Sequence, residues 1–214
     1  MIEETQKSEI LKNILNLIVA SLKQLNRNAV FRGPVADDWY LLSILNSAHV
    51  VELTLKAAIA THHPLLIFDK LPNPPTDGST LTMDELMQKG RSYDLSKLPQ
   101  LYWAVTGTRV SDLDLFNEAV AARNIVQHFL SPSEDLSSLA LRFTYEIADP
   151  ILVEYFDIYP VEYNSNCDDY GYVVEALIRE EIDFSKPDGF DISGLEGYPE
   201  EALSNASDVY RKLF

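Results

Sequence analysis

DDWYLLSILNSAHVVELTLKAAIAT, residues Asp37–Thr61, decides the fold. Its apolar residues, Trp39, Leu41, Leu42, Ile44, Leu45, Val50, Val51, Leu53, Leu55 and Ile59, fall on most sides of a helix rather than along one stripe. A helix apolar all round has to be covered on all sides, so this segment is predicted to be the central helix of an all-α domain. Asn46, His49, Glu52 and Lys56 interrupt it. At about 100° per residue these four fall within about 120° of one another, a polar strip that must face a partner, a cleft or solvent. Glu52 and Lys56 also have the spacing of an i,i+4 ion pair. Asp37 or Asp38 is the expected N-cap, and His62-His63-Pro64 the expected stop.

The flanking segments supply the cover. Between Glu3 and Asn28, Ile10, Leu11, Ile14, Leu15, Ile18, Leu22 and Leu25 recur at steps of one, three and four, the period of an amphipathic helix. Gly33-Pro34 breaks the chain before the central segment. A second helix is expected over Ser111–Leu130, capped by Ser111 and stopped by Ser131-Pro132, with Asp112 and Asp114 in its first turn. A third is expected over residues 133–158, where Leu136, Leu139, Phe143, Ile147, Ile151 and Phe156 hold helical spacing and Pro150 removes one backbone donor. Thr82-x-x-Glu85 is a capping box for a short helix ending at Gly90, and another short piece is expected over Leu98–Val105. The proline-rich connection between Pro64 and Ser79 is long and irregular. No segment of the body alternates convincingly as a strand. The expected arrangement is an antiparallel four-helix-type bundle over residues 1–160 with short extra helices. Residues 161–214 form an acidic, partly irregular C-terminal appendage packed on or near it, with short helices over 172–182 and 199–213 and a loop over 186–198.

With 33 acidic and 17 basic residues the chain carries a formal charge of −16. From Val161 onward there are 13 acids and 4 bases, against 20 and 13 before it, so the C-terminal quarter is the acidic part. Such a balance disfavours nucleic-acid binding over the whole surface, since phosphate contacts draw on Lys and Arg, but leaves room for a locally basic groove in the body. The single cysteine, Cys167, excludes an internal disulfide and a multi-cysteine zinc site, and the neighbouring acids raise its thiol pKa rather than activate it. The acidic, polar start is no signal peptide, and no uninterrupted apolar run is long enough for a membrane span. A soluble cytoplasmic protein is expected. There is no glycine-rich phosphate loop and no nucleophile elbow. His49, Glu52, His62, His63 and Asp69 lack the spacing of a metal site, and neither metal nor cofactor is expected.

The remaining chemistry lies in Arg123, Asn124 and His128. Inside a helix, Asn124 and His128, at i and i+4, share a face, whereas Arg123 and His128 diverge by about 140°. The bland reading makes Arg123 a surface residue and His128 a cation at a helix C-terminus. The run RNIVQH, Arg123–His128, resembles the signature of the HEPN superfamily (higher eukaryotes and prokaryotes nucleotide-binding), an arginine followed after four to six residues by histidine, with a polar residue after the arginine. LNSAHVVELTLKAAI in the central segment, with its Glu52 and Lys56, and YEIADPILVEYF at Tyr145–Phe156 are similar to other helices of that family. The resemblance spans about Ile10 to Phe156.

That resemblance implies metal-independent RNA cleavage at a homodimer interface where two copies of the motif meet, which accommodates the divergence of Arg123 and His128. His128 would move the proton of a ribose 2′-OH or of the leaving 5′-oxygen. Arg123 would hold the phosphate, and Asn124 would orient His128 or donate to phosphate. Glu52 would position Arg123, with Lys56 and His49 as further supporting residues. A toxin or phage-defence role, with an antitoxin or other regulatory protein as partner, goes with that reading. Asp168, Asp169, Glu180, Glu181 and Asp183 would then be candidates for an acidic cover over the cleft, or simply a solvated surface. The alternatives are a non-catalytic HEPN-like module that binds a protein or nucleotide, and an acidic adaptor or antitoxin that masks a basic partner.

Overall fold

The computed structural model describes residues 4–30, 39–73, 82–128, 136–164 and 170–214. Gly33-Pro34, the candidate N-caps Asp37 and Asp38, the Ser131-Pro132 stop, Cys167, Asp168 and Asp169 lie outside the described residues. The chain is all-α in class. Helix α1 (Glu4–Val30) lies against α2 (Trp39–His62), the central helix. Apolar residues all round α2 are covered as the sequence requires: Ile44, Val50, Val51, Leu55, Ala57, Ala58 and Ile59 are fully buried. Ile14, Ile18, Leu22 and Leu25 of α1 fill the facing side. By length and composition Leu41–His62 would pass as a membrane span, but most of it is buried inside the protein, which marks it as a core helix.

Four further helical elements close around α2. These are α4 (Leu98–Thr106), α5 (Leu113–His128), α6 (Ser137–Arg142) and α7 (Asp149–Phe156), after the short helix α3 (Met83–Lys89). The capping box at Thr82 forms as expected, Thr82 Oγ1 accepting from the Glu85 amide and Glu85 from the Thr82 amide. α2 stops where expected, and His63 then caps the following turn, its Nδ1 accepting from the Leu65 amide. One feature escaped the hydropathy pattern. Phe68–Lys70 (β1) pairs antiparallel with Arg91–Ser92 (β2). At three and two residues the strands are too short to display alternation.

The helix expected over residues 133–158 is interrupted. A π-helical segment, Phe143–Ala148, separates α6 from α7 directly before Pro150. Pro150 has no N–H to offer the Glu146 carbonyl four residues earlier. Ser111 Oγ donates to that carbonyl at 2.5 Å. Ser111 is therefore not the N-cap of α5, as its position suggested. Asp112 takes that role, its carboxylate accepting from the amides of Asp114 and Leu115 at 2.9 Å each.

Two buried polar knots tie helices together. Asn26 of α1, fully buried, donates to the carbonyls of Pro160 and Tyr163 and accepts from the Tyr145 hydroxyl. Ser47 of α2 donates to the Ala140 carbonyl and bonds Thr144 at 2.8 Å.

In the C-terminal part, α8 (Gly171–Arg179) packs on α1 and on α9 (Pro199–Asn205). Val173, Val174, Leu177, Ile178, Phe184 and Tyr210 join the same buried apolar cluster as α1 and α2. The last helix stops well short of Leu213. Ser207 turns its amide and hydroxyl to the Glu181 carboxylate instead of extending α9, the usual behaviour of Ser, Asn and Asp near helix ends.

Candidate functional site

Helix α5 changes character halfway along. Leu115, Phe116 and Ala119 are buried, with Phe116 edge-on to Phe143. Beyond Ala119 no residue of α5 is fully buried. Val120, Ala122 and Val126 lean on the core, while Ala121, Asn124, Ile125 and His128 face outward, Ile125 with 48 % of its surface exposed. This stripe at helical spacing carries two thirds of the Arg-Asn-His motif. Arg123 is half-buried beside it, and its Nη1 donates to Asn124 Oδ1 at 3.0 Å.

That pairing matters in so acidic a chain. Among the described residues, Arg91, Arg142, Arg179 and Arg211 each pair with a carboxylate. Arg123 has a neutral amide as its partner. Among the described residues its charge thus has no carboxylate partner, which leaves the guanidinium fork open to an anion. With Asn124 Oδ1 accepting from Arg123, the amide N–H pair of Asn124 is the part left to donate.

The supporting residues are distributed differently from the expectation. Lys56, buried in α2, pairs with Glu52 at 2.5 Å and donates to Ser92 Oγ at 2.9 Å. The i,i+4 pair thus fastens β2 onto the central helix. Among the described residues Glu52 pairs with Lys56, and no hydrogen bond or ion pair joins it to Arg123. His49 lies at the other end of the strip, its Nδ1 hydrogen-bonded to Ser21 of α1 at 2.9 Å. The polar strip of α2 is divided between α1 and β2 because its residues, spread over the eleven positions from Asn46 to Lys56, extend along the helix as well as around it. His49, Glu52, His63 and Asp69 are each engaged elsewhere, and among the described residues no three His, Cys, Asp or Glu side chains converge as a metal site demands.

Two cavities lie near the ends of these elements. The larger, about 570 Å³, sits between α4 and the start of α5 and is lined by Trp103, Arg109, Gln100, Ser111, Leu113 and Asn117 among others. Trp103 is 47 % exposed, and the Arg109 guanidinium lies over its ring at 5.6 Å. Neither residue stood out in the sequence. The available signal was an aromatic residue in a short helix closed by Thr-Gly-Thr and followed directly by arginine.

The second cavity, about 300 Å³, is lined by Tyr145, Glu146, Asp149, Asp183 and Ser185. Asp149 is buried there and accepts from the Ser185 amide at 2.6 Å. Burial pushes its pKa up to about 6; the Ser185 bonds pull the other way and Asp183 adds repulsion. A carboxyl whose folded-state pKa exceeds its unfolded value stabilises the fold below about pH 4 and loses that contribution as pH rises through 6. Relative to Asp149→Asn, the native chain is expected to lose up to about 3 kcal/mol of unfolding free energy between pH 4 and pH 7, read from urea titrations across that range. A constant difference would contradict the assignment.

Searches against family models, curated proteins and solved structures produced no match to this chain.

Proposed function

We propose that the chain is a HEPN-type, metal-independent endoribonuclease whose site forms where the outer halves of two α5 helices meet. One observation supports the reading above the rest. Among the described residues Arg123, in a chain of charge −16, is oriented by Asn124 rather than neutralised by a carboxylate, on a helix end that also carries His128 and the exposed Ile125. Ala121 and Ile125 supply apolar surface for a self-complementary contact, which a two-fold axis would use twice.

In the proposed reaction the ribose O2′ attacks phosphorus and the bond to the 5′-oxygen breaks. An imidazole of His128 accepts the 2′-OH proton, and the imidazolium of the second copy protonates the departing oxygen. Arg123 binds the non-bridging oxygens as negative charge builds on them, with the Asn124 amide as a further donor. The products are a 2′,3′-cyclic phosphate and a 5′-hydroxyl. The finer architecture belongs to the same proposal: a four-helix-type antiparallel bundle over residues 1–160, with 161–214 as an acidic appendage. So do the cytoplasmic setting, the toxin or phage-defence role and a regulatory protein partner.

The test is RNA cleavage in EDTA measured over a range of protein concentrations beside the sedimentation behaviour. Specific activity is expected to rise with the monomer-to-dimer transition. Equal activity from a monomer would remove the shared cleft. A dimer that binds but never cleaves would favour the non-catalytic module.

A further inference from the structure

We infer that the cleft between Trp103 and Leu113 is a stacking subsite for an unpaired base of single-stranded RNA, a reading that rests on the proposed nuclease function and names how its substrate is held. The cleft is built by the end of α4. Gly107 closes that helix in the left-handed region at φ 79°, its amide donating to the Trp103 carbonyl at 2.8 Å. Thr106 Oγ1 accepts from the Thr108 amide, which tightens the turn. The chain thereby doubles back, and Arg109 comes to lie over the indole six residues earlier.

Three features define the occupant. The first is the exposed indole, a platform on which any base can stack. The second is charge. None of the residues lining this cleft is acidic, whereas the Asp149 cavity and the smaller one between α8 and α9 each contain carboxylates. Among the described residues Arg109, like Arg123, has no carboxylate partner; its guanidinium lies over the Trp103 ring. Asp112, between the lining residues Ser111 and Leu113, is committed to capping α5, and Asp114, exposed in the first turn of α5, is not among the lining residues. Gln100 and Asn117 place amide groups around the wall, suited to a base edge.

The third feature is continuity. Asn117, Ala121, Asn124 and His128 follow one another along the outward face of α5. At 1.5 Å per residue the stretch from Asn117 to His128 spans roughly 16 Å, a few nucleotides of extended strand. A base seated on Trp103, with its phosphate on Arg109, would direct the neighbouring backbone toward Arg123 and His128. A free nucleotide would fill the cleft but not the stripe, so the occupant is a strand.

The experiment measures the anisotropy of a labelled, unstructured RNA of about twelve nucleotides in EDTA, bound to the full chain carrying His128→Ala. Adding Trp103→Ala is expected to weaken binding about ten-fold, while Trp103→Phe retains most of the affinity. Arg109→Ala is expected to weaken binding and to reduce the salt dependence by about one counterion. Trp103 and Arg109 are both exposed, so these changes leave the core intact. Unchanged binding by Trp103→Ala and Arg109→Ala, with the native chain still cleaving RNA, overturns the subsite and leaves the nuclease reading standing. Weakened binding in those variants, when the native chain never cleaves, supports the subsite and overturns the nuclease reading. A native chain that binds AMP but no single strand overturns both.

Discussion

RNA cleavage by His128→Ala is expected to fall at least about 100-fold below the native chain, because a positioned proton carrier contributes on that order or more to such a displacement. Arg123→Ala is expected to fall about 100- to 1,000-fold, the usual loss when a donor to the developing charge is removed. The two effects should not add, since both residues act on one transition state. Arg123→Lys is expected to recover little, because an ammonium cannot hold Asn124 and two phosphate oxygens with the same planar fork. Both side chains lie on the outer half of α5, beyond its last buried residue, so the variants should keep the native unfolding midpoint. Glu52→Gln provides the contrast. Glu52 holds the buried Lys56 ammonium and not Arg123. Its loss should lower stability while leaving the rate per folded dimer close to native. These are comparisons of initial rates on one labelled RNA.

Asn26→Leu is expected to destabilise the fold by about 3 kcal/mol or more, the largest single-site loss of stability anticipated in this chain. Asn26 is fully buried, and each of its polar atoms is used. Its Nδ2 donates to Pro160 at 3.0 Å and to Tyr163 at 2.7 Å, and its Oδ1 accepts from Tyr145 at 3.0 Å. Leucine fits the apolar surroundings but strands two carbonyls and a hydroxyl away from water, each at about 1–3 kcal/mol less any compensation from trapped water. Tyr145 is itself buried, which raises its pKa well above the ordinary phenol value and keeps it a donor. Adding Tyr145→Phe to Asn26→Leu should therefore recover about 1 kcal/mol, because the stranded hydroxyl is removed with its partner. Urea denaturation of the four proteins of this cycle checks both numbers. Strict additivity would contradict the network.

What the sequence disclosed and what it concealed follow from the range of the interactions. The all-round apolar character of α2 required a central helix, and most of α2 is buried, with Leu42 and His49 among the residues left exposed. Thr82 and Glu85 lie three residues apart, and their capping box could be read from local chemistry. The cap of α5 was misplaced by one residue because Ser111 and Asp112 are both good caps; a carbonyl 35 residues away, left without its α-helical donor by Pro150, takes the Ser111 hydroxyl. The β1–β2 pairing rests on tertiary anchoring through Lys56 and Ser92, which no local period reveals. Arg123, Asn124 and His128 were legible as a motif, and the Arg123–Asn124 bond is a contact between sequence neighbours. The Glu52–Lys56 pair was legible because the two residues lie one helical turn apart. Trp103 and Arg109 went unnoticed because their meeting depends on the left-handed turn at Gly107.

The most direct measurement is the chemistry of the product ends. The purified chain is incubated with a 5′-labelled single-stranded RNA in EDTA, beside His128→Ala, and the fragments are examined for their termini. A nuclease acting through O2′ attack leaves 2′,3′-cyclic phosphate and 5′-hydroxyl ends, and those ends are expected from the native chain but not from the variant. Intact RNA, metal-dependent cleavage, 5′-phosphate ends, or equal cleavage by His128→Ala would each contradict a site built on the outer half of α5.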